Sequence, residues 1–475
     1  MALLLLPNEL LLNIAKNQES QEEINALTRI NHRCYALLNS FLYANNVRNH
    51  EASALHWAAN QGQPRTAQKS LQQGADVESK DRETASRPLI QSARFGHADV
   101  VALLLEHGAD PYAKNSPTSK DAITLAVRHN QAAVAKVLLE HGVDANQTHW
   151  DGSGLLHIAA QEQRSDRKAV TRVLVEKGAN LEAVNVLDET ALQVACAAGS
   201  VEVARCLMEC GADMNRRSKD GKSLLHLASI KNRVQVVKML MEEGADIEAK
   251  NDEGSTPLHQ ACWDGRVETA AFLLDRGANI EATSSKGHTP LLLGVLWECT
   301  SCEIEALREY MSCEVEEMIR MTSLLLKRGA DPNRANEYGI TPLHCSISTG
   351  NATICNVLLQ YGADPESRTT EGVTPLHKAA FYGSLESAKH LLKRGVDVQP
   401  MDAEGDTPLH MAAQRNDPAF VKLLLEAGAN RLIKNHQGQL PVQVVPEGPA
   451  ISEGEPAIHN EMMNLLRARF EDQKL

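Results

Sequence analysis

The sequence contains no apolar segment long enough to cross a membrane. Its longest leucine run, Leu3 to Leu6, has no basic residue before it and is followed at once by Pro7, Asn8 and Glu9. A secretory signal peptide needs a basic flank and a longer apolar stretch. We therefore expect a soluble intracellular protein, cytoplasmic or nuclear, that does not engage a membrane.

Positive charge is scarce as well, because 48 lysines and arginines are set against 61 aspartates and glutamates, a formal net charge of −13. An acidic protein repels phosphate backbones, which argues against a nucleic-acid ligand and favours a neutral or basic protein partner. The sequence also lacks phosphate-binding glycine loops, nucleophile elbows and zinc-protease signatures. We expect no catalysis, no cofactor and a monomeric chain.

The ten cysteines are scattered and do not form the framework of a disulfide-rich protein. Several replace small apolar residues within helical patterns, as Cys206 does, so we expect buried free thiols in a reducing compartment. Cys299, Cys302 and Cys313 lie close together in the sequence, but a fourth zinc ligand is not evident. We predict no metal site there.

Repetition is the feature that the sequence has in abundance. A tripeptide Gly-Ala-Asp, or a close variant, recurs along the chain, and six of the ten intervals between its glycines are 33 residues long. A period in this range is typical of stacked helical units, none of which buries its apolar face alone. The glycines are Gly74, Gly108, Gly142, Gly178, Gly211, Gly244, Gly277, Gly329, Gly362, Gly395 and Gly428.

A second motif follows each of these glycines by about a dozen residues. Its full form, Thr-Pro-Leu-His, occupies residues 256–259, 341–344, 374–377 and 407–410. Threonine at an N-cap followed by proline in the first turn is a strong start for a helix. A second apolar stripe, such as 385–392, precedes the next Gly-Ala-Asp. Each unit is therefore predicted to consist of a helix, a turn, a helix and a loop.

These two motifs resemble the signatures of the ankyrin-repeat family over residues 51–445. The resemblance implies an all-α solenoid of eleven helix-turn-helix units and a degenerate twelfth, whose function is to bind other proteins. The motif histidines recur with the repeat, so we assign them hydrogen bonds at helix starts and no catalytic role. They are His56, His157, His226, His259, His344, His377 and His410.

Residues 1–48 lack the repeat period and show a different pattern. Leu-Pro-Asn-Glu-Leu at 6–10 opens an amphipathic helix, and a second apolar stripe runs from Ile24 to Leu38. Together with His-Arg-Cys-Tyr at 32–35, these features resemble an F-box, and an F-box before an ankyrin array resembles a group of fungal proteins. The chain departs from the F-box pattern at 17–19, where it has Asn-Gln-Glu and the family commonly has a leucine.

An F-box implies docking on the Skp-type adaptor of a cullin–RING ubiquitin ligase, with the array holding a target protein. The residues that would contact the adaptor are Leu6, Pro7, Leu10, Ile14, Leu27 and Ile30. The alternative is that this segment only caps the first repeat, because a repeat array needs an atypical end unit. The chain would then be a plain ankyrin scaffold or inhibitor.

Candidate target contacts lie just before the mid-repeat glycine, at positions that tend to face the binding side of ankyrin-like units. Four of the chain's few aromatic residues fall there. Aromatic and arginine side chains are frequent interface anchors, although packing on neighbouring helices is the alternative. We predict target contacts at Phe95, Arg128, Trp263, Phe381, Tyr382 and Arg415.

Two segments depart from the repeat. The interval from Gly277 to Gly329 is 52 residues long, and its extra residues, about 297–322, are acidic and keep helical spacing. We expect lengthened helices there that form a solvated extension. Residues 446–475 begin as a loop rich in proline and glycine and end in an amphipathic stretch, which we predict to be a helix that closes the array.

Overall fold

A computed structural model describes residues 53–81, 84–115, 120–149, 151–161, 167–296, 308–446 and 456–467. These residues form helices, with two isolated bridges in the loops and no extended strand among them. The predicted all-α class is thereby confirmed. The chain divides into two units, Met1–Asn215 and Arg216–Leu475. The segment 1–48, predicted to be F-box-like, lies outside the described residues.

The first unit consists of five helix pairs, each made of two short antiparallel helices. Their bounds are α1 Ser53–Gln61, α2 Pro64–Gln72, α3 Pro88–Phe95, α4 Ala98–Glu106, α5 Ala122–Arg128, α6 Ala132–Glu140, α7 Leu155–Gln161, α8 Lys168–Glu176, α9 Ala191–Ala198 and α10 Val201–Glu209. The first helix of each pair contacts the first helix of the next pair, and the second helices pack on each other in the same way. The five pairs therefore form one stack.

The second unit contains six further pairs and a short helical end. Its helices are α11 Leu224–Ile230, α12 Val234–Glu242, α13 Pro257–Trp263, α14 Val267–Asp275, α15 Pro290–Leu296, α16 Arg308–Lys327, α17 Pro342–Ser348, α18 Ala352–Gln360, α19 Pro375–Tyr382, α20 Leu385–Leu392, α21 Pro408–Gln414, α22 Pro418–Glu426 and α23 Pro456–Arg467. A 3-10 turn, Pro441–Gln443, stands where a twelfth repeat would begin its first helix. Helix α23 packs against α22 and buries Met462 and Leu466.

Small and branched apolar side chains fill the core of each stack. In the pair α19–α20, Leu376, Ala379 and Ala380 of the first helix and Ala388 and Leu391 of the second are buried. Alanine lets neighbouring helices approach closely, and each buried leucine stabilises the stack by about 2 kcal/mol. Because most of this surface is covered by the adjacent repeats, a pair does not bury it alone.

The Gly-Ala-Asp motif ends the second helix and links each repeat to the next. Gly362 follows α18 with φ +88°, and the N–H of Ala363 donates to the carbonyl of Leu358 at 3.0 Å. Asp364 Oδ1 accepts the N–H of Glu366 at 2.9 Å, which fixes the turn. Glu366 Oε1 then accepts the N–H of Asp397 in the following repeat at 2.8 Å. The motif therefore ends a helix, and the turn that follows it accepts a hydrogen bond from the next repeat.

One second helix is much longer than the others. Helix α16 has 20 residues, whereas the second helices elsewhere have eight or nine. Met321 and Leu325 of this helix are buried against α15, where Gly294 leaves them room. Residues 297–307 of the predicted insertion lie outside the described residues; its described part, 308–322, is the beginning of this helix.

The six cysteines whose side chains the structure describes, Cys196, Cys206, Cys210, Cys262, Cys345 and Cys355, are free, and all but the half-buried Cys210 lie in the core. Burial raises the pKa of Cys345 to about 12 and that of Cys355 to about 11. Thiols with such pKa values stay protonated at neutral pH and pack as small apolar groups. Cys34, Cys299 and Cys302 lie outside the described residues. Across the described ranges, no helix combines the length and apolarity needed to span a bilayer.

We expect Gly362→Ala to lower the free energy of unfolding by about 1–2 kcal/mol, because its left-handed backbone is unfavourable for any residue with a Cβ. A Cβ at this position would meet no atom within 4 Å, so the cost is purely conformational. Urea denaturation measures it, with the exposed helix-end variant Gln360→Ala as control. An unchanged midpoint for Gly362→Ala would show that the turn does not need a left-handed residue.

Candidate protein-interaction surface

The motif histidine is the residue that positions one repeat on the next. In the second pair of the second unit, His259 Nδ1 accepts the backbone N–H of Thr256 at 3.1 Å. A backbone N–H only donates, so this ring nitrogen carries no proton. The proton is therefore on Nε2, which donates to the carbonyl of His288 in the following hairpin at 3.0 Å. One neutral imidazole thus caps its own helix and holds the next loop.

Six of the seven motif histidines make this bridge, which we call the histidine bridge. The Nε2-to-carbonyl distances lie between 2.8 and 3.2 Å. The pairs are His157–Glu189, His226–Ser255, His259–His288, His344–Val373, His377–Asp406 and His410–Gln439. The helix-start role predicted for these histidines is confirmed at those positions.

At His56, in the first turn of α1, the ring instead contacts the side chains of Gln91 and Ser79 at 3.4 and 3.2 Å. Four of the eleven repeats also lack the histidine, and Ile90 in α3 and Thr124 in α5 stand at its position in two of them. In α9, Gln193 takes its place and its Oε1 accepts the N–H of Thr190 at 2.9 Å, so the helix cap survives. In α15, the buried Leu292 replaces it. The histidine bridge is therefore general but not universal.

Burial lowers the pKa of five of the six bridging histidines. Desolvation is the main cause that lowers the pKa of His226, His259 and His344 to about 4. The pKa values of His157 and His377 are lowered for the same reason. A histidine with both ring nitrogens engaged and a pKa far below 7 does not exchange protons with a substrate at neutral pH.

The hairpin tips in front of the first helices are joined by backbone hydrogen bonds. In the second unit the N–H of Asp252 donates to the carbonyl of Asp220 at 3.2 Å, and the N–H of Ser285 donates to that of Glu253 at 2.8 Å. The Arg217 guanidinium adds bonds to the carbonyls of Gly221 and Lys250, at 2.8 and 2.7 Å. Consecutive tips therefore form a continuous wall.

A groove of about 690 Å³ lies between this wall and the first helices of the second unit. Its floor is formed by α13, with His259, Gln260 and Trp263, and by α15, with Leu293 and Leu296. Its wall is formed by hairpin residues from 220–222, 251–255 and 284–288. Trp263 is half-buried, so part of the indole faces the groove. We call this cleft the Trp263 groove.

A second exposed aromatic cluster lies further along the same unit. The Phe381 ring is 53% exposed and meets the Tyr382 ring edge-on, with 5.1 Å between the centroids. The Arg415 guanidinium donates to the carbonyl of Phe381 at 3.1 Å, and the Lys378 ammonium lies 5.9 Å from the centre of the Tyr382 ring. Gly383 lets Arg415 lie close to the helix end. Three of the predicted target contacts thus lie together here.

The other predicted contacts lie in the first unit. Phe95 ends α3 and is 49% exposed, with its ring stacked on His97 and Arg94 over its face. Arg128 ends α5 and is half-buried, and its carbonyl accepts a hydrogen bond from the buried Arg167. The Phe95 ring is therefore open to a partner, and at Arg128 the backbone carbonyl joins two repeats while the target contact of the side chain stays a prediction. The predicted adaptor contacts all lie outside the described residues.

Sequence reasoning missed several apolar side chains that the structure exposes. Trp57 in α1 is 53% exposed, one position after a motif histidine. Val186 and Leu187 form an apolar hairpin tip, 65% and 67% exposed, where most other repeats carry polar residues. Asp188 takes the positive-φ position that glycine fills in most hairpins. The missing glycine is the signal that could have drawn attention to this tip.

Nothing in the described part of the chain assembles a metal-ligand group. No set of three or more histidine, cysteine, aspartate or glutamate side chains there is placed to hold a metal ion. The features that the structure does present are an open cleft, exposed aromatic rings and varied surface charge. These are the components of a surface that binds other macromolecules.

Comparison with known families and structures identifies the repeat. The family described as ankyrin repeats (3 copies) matches in overlapping stretches, at 29–115, 55–149, 89–185, 123–218, 156–251, 210–284, 310–402 and 363–435. Among solved structures, the crystal structure of the human ASB11 ankyrin repeat domain is 25% identical, with a TM-score of 0.42, over 51% of this chain and 98% of that chain. No curated protein matches.

The buried histidines predict a pH-dependent stability. Between pH 6.5 and 4 the histidines of the unfolded chain bind protons that His226, His259 and His344 in the folded chain do not. The free energy of unfolding therefore falls as the pH falls, by at most about 1.4 kcal/mol per pH unit for each histidine. We expect His259→Gln to make this slope shallower, because glutamine caps the helix in α9 without titrating.

Urea denaturation of both proteins between pH 7 and pH 4.5 measures the two slopes. Acidic groups contribute equally to both, so the difference reports the single histidine. Equal slopes would mean that His259 is protonated to the same extent in the folded and unfolded chains.

Proposed function

We propose that this chain, which belongs to the ankyrin-repeat family, is the target-recognition subunit of an SCF-type cullin–RING ubiquitin ligase. As an ankyrin-repeat protein it is a protein–protein interaction module. The finer assignment rests on the Leu-Pro-Asn-Glu-Leu sequence at residues 6–10, which opens the segment N-terminal to the array. An array without a second docking element holds one partner, whereas a ligase subunit must hold two at once.

In this proposal the N-terminal segment presents Leu6, Pro7, Leu10, Ile14, Leu27 and Ile30 to the Skp-type adaptor. The array holds the target through the side chains exposed on its first helices, of which Trp263, Phe381 and Tyr382 are the best placed. The chain forms no bond itself. It raises the local concentration of target lysines near a ubiquitin-loaded enzyme, and so acts by proximity. Such a complex would work in the cytoplasm or nucleus, where the free buried thiols remain reduced.

A second candidate function is that of a plain ankyrin scaffold or inhibitor. One observation favours it: the first stretch that matches the ankyrin family begins at residue 29 and so includes Ile30, one of the proposed adaptor contacts. On this view the residues before the first complete repeat belong to the array and cap its end. The two candidates differ in whether residues 6–10 contact another protein or the array itself.

Binding to a purified Skp-type adaptor separates the two. We expect the full-length chain to bind the adaptor and a chain lacking residues 1–48 to lose binding. The double variant Leu6→Ala with Pro7→Ala should weaken adaptor binding by about tenfold or more, as expected for two apolar anchors that lose their contacts. Its thermal melting curve should stay that of the unchanged chain.

The matched control is Gln18→Ala, which changes the polar stretch between the two apolar stripes and should bind like the unchanged chain. If the folded full-length chain does not bind the adaptor at micromolar concentration, the ligase assignment is overturned. Loss of melting temperature in the double variant, without any adaptor binding to lose, would favour the cap.

A further inference from the structure

The floor of the Trp263 groove is apolar and only partly covered. Trp263 is half-buried on α13, and Leu293 and Leu296 of α15 lie beside it as lining residues. A half-buried indole exposes a flat apolar face that water solvates poorly. Such a face is the kind of pocket that accepts a single apolar side chain from a partner.

The polar groups around this floor belong to an open rim. None of the lining residues has a buried side-chain nitrogen or oxygen without a hydrogen-bond partner. A site built for a small polar ligand places such atoms where the ligand satisfies them. A cleft with satisfied polar groups and an exposed charged rim is instead typical of protein interfaces. At about 690 Å³ it admits a short segment of chain and not a folded domain.

The charge of the rim is unbalanced. Lys222 is neutralised by Asp220, with 2.6 Å between the ammonium and the carboxylate. Asp252 and Glu253 are exposed on the next hairpin tip, and no ion pair involves either carboxylate among the described residues. Lys286 is the remaining cation of the rim. The excess is therefore negative beside Trp263, in a chain whose formal net charge is −13.

We propose that the Trp263 groove binds an extended peptide segment of a partner protein, which places one apolar side chain on Trp263 and a neighbouring lysine or arginine against Asp252 and Glu253. This inference rests on the proposed function as an interaction module and names the class of segment that the module recognises. The wall supplies hydrogen-bonding groups along its hairpin tips, and the negative field of the chain steers basic segments toward it. An acidic segment is repelled by the same two carboxylates.

The repeat offers matched controls for each half of the proposal. Trp57 in α1 is likewise an exposed tryptophan, and Glu404 occupies on the hairpin before α21 the position that Glu253 occupies on the hairpin before α13. Neither residue lines the groove. Trp57→Ala and Glu404→Lys thus repeat the chemistry of Trp263→Ala and Glu253→Lys at sites outside the groove.

The test begins with the selection of phage-displayed random twelve-residue peptides on the purified full-length chain. The enriched peptides are then synthesised, and their binding is measured by fluorescence anisotropy. We expect the enriched peptides to share an apolar residue next to a lysine or arginine. Trp263→Ala should weaken their binding by about tenfold or more, and Glu253→Lys by several-fold. Trp57→Ala and Glu404→Lys should leave peptide binding unchanged, and added salt should weaken it.

Three results would overturn the inference. The selection could enrich no peptide, the enriched peptides could be rich in acidic residues, or Trp263→Ala and Glu253→Lys could leave peptide binding unchanged. Enriched peptides that bind through Phe381 and not through Trp263 would refute the Trp263 groove as the binding site, while the proposed function as an interaction module would stand. Adaptor binding through residues 1–48 is measured separately, so a failed peptide selection does not count against the ligase assignment.

Discussion

The bond from a neutral histidine ring to the carbonyl of the next repeat is the interaction on which the rest of the structure depends. It ties three things together: the start of a helix, the tautomer of the ring and the position of the following hairpin. His344 shows all three, since Nδ1 accepts from Thr341 and Nε2 reaches the carbonyl of Val373 at 3.2 Å. If the ring were protonated, Nδ1 would meet a donor with a donor, and cap and bridge would both weaken.

A constant frame of this kind leaves the surface free to vary. The position of Trp263 in the second pair of the second unit is taken in other pairs of that unit by Ile230, Leu296, Ser348, Phe381 and Gln414. The backbone around each is similar because the same cap, glycine and hairpin recur. Recognition is therefore decided by side chains at a few repeated positions, and neighbouring repeats combine them. The Trp263 groove is one such combination, with an indole and two leucines under a mainly acidic rim.

The frame was predictable from the sequence and the groove was not. Thr-Pro-Leu-His and Gly-Ala-Asp each specify local backbone geometry, so helix starts and ends follow directly from them. Trp263 could be predicted as a target contact from its position just before the mid-repeat glycine. Its partners Leu293 and Leu296 come from the next repeat, and Asp252 and Glu253 from a hairpin before it, so only the stacking of repeats brings them together. At Arg128 the stacking also adds a contact that the sequence does not indicate, because its backbone carbonyl accepts a hydrogen bond from Arg167 of the next repeat.

The most direct measurement is of the protonation and tautomer of the histidine rings by NMR of the full-length chain with ¹⁵N-labelled histidine. We expect a group of rings that carry the proton on Nε2 at pH 7. The nitrogen chemical shifts of these rings should stay constant down to about pH 5, because burial lowers their pKa. Signals that show the proton on Nδ1 in that group, or that titrate near pH 6.5 with the exposed rings, would contradict it. The histidine bridge would then not be the link between repeats.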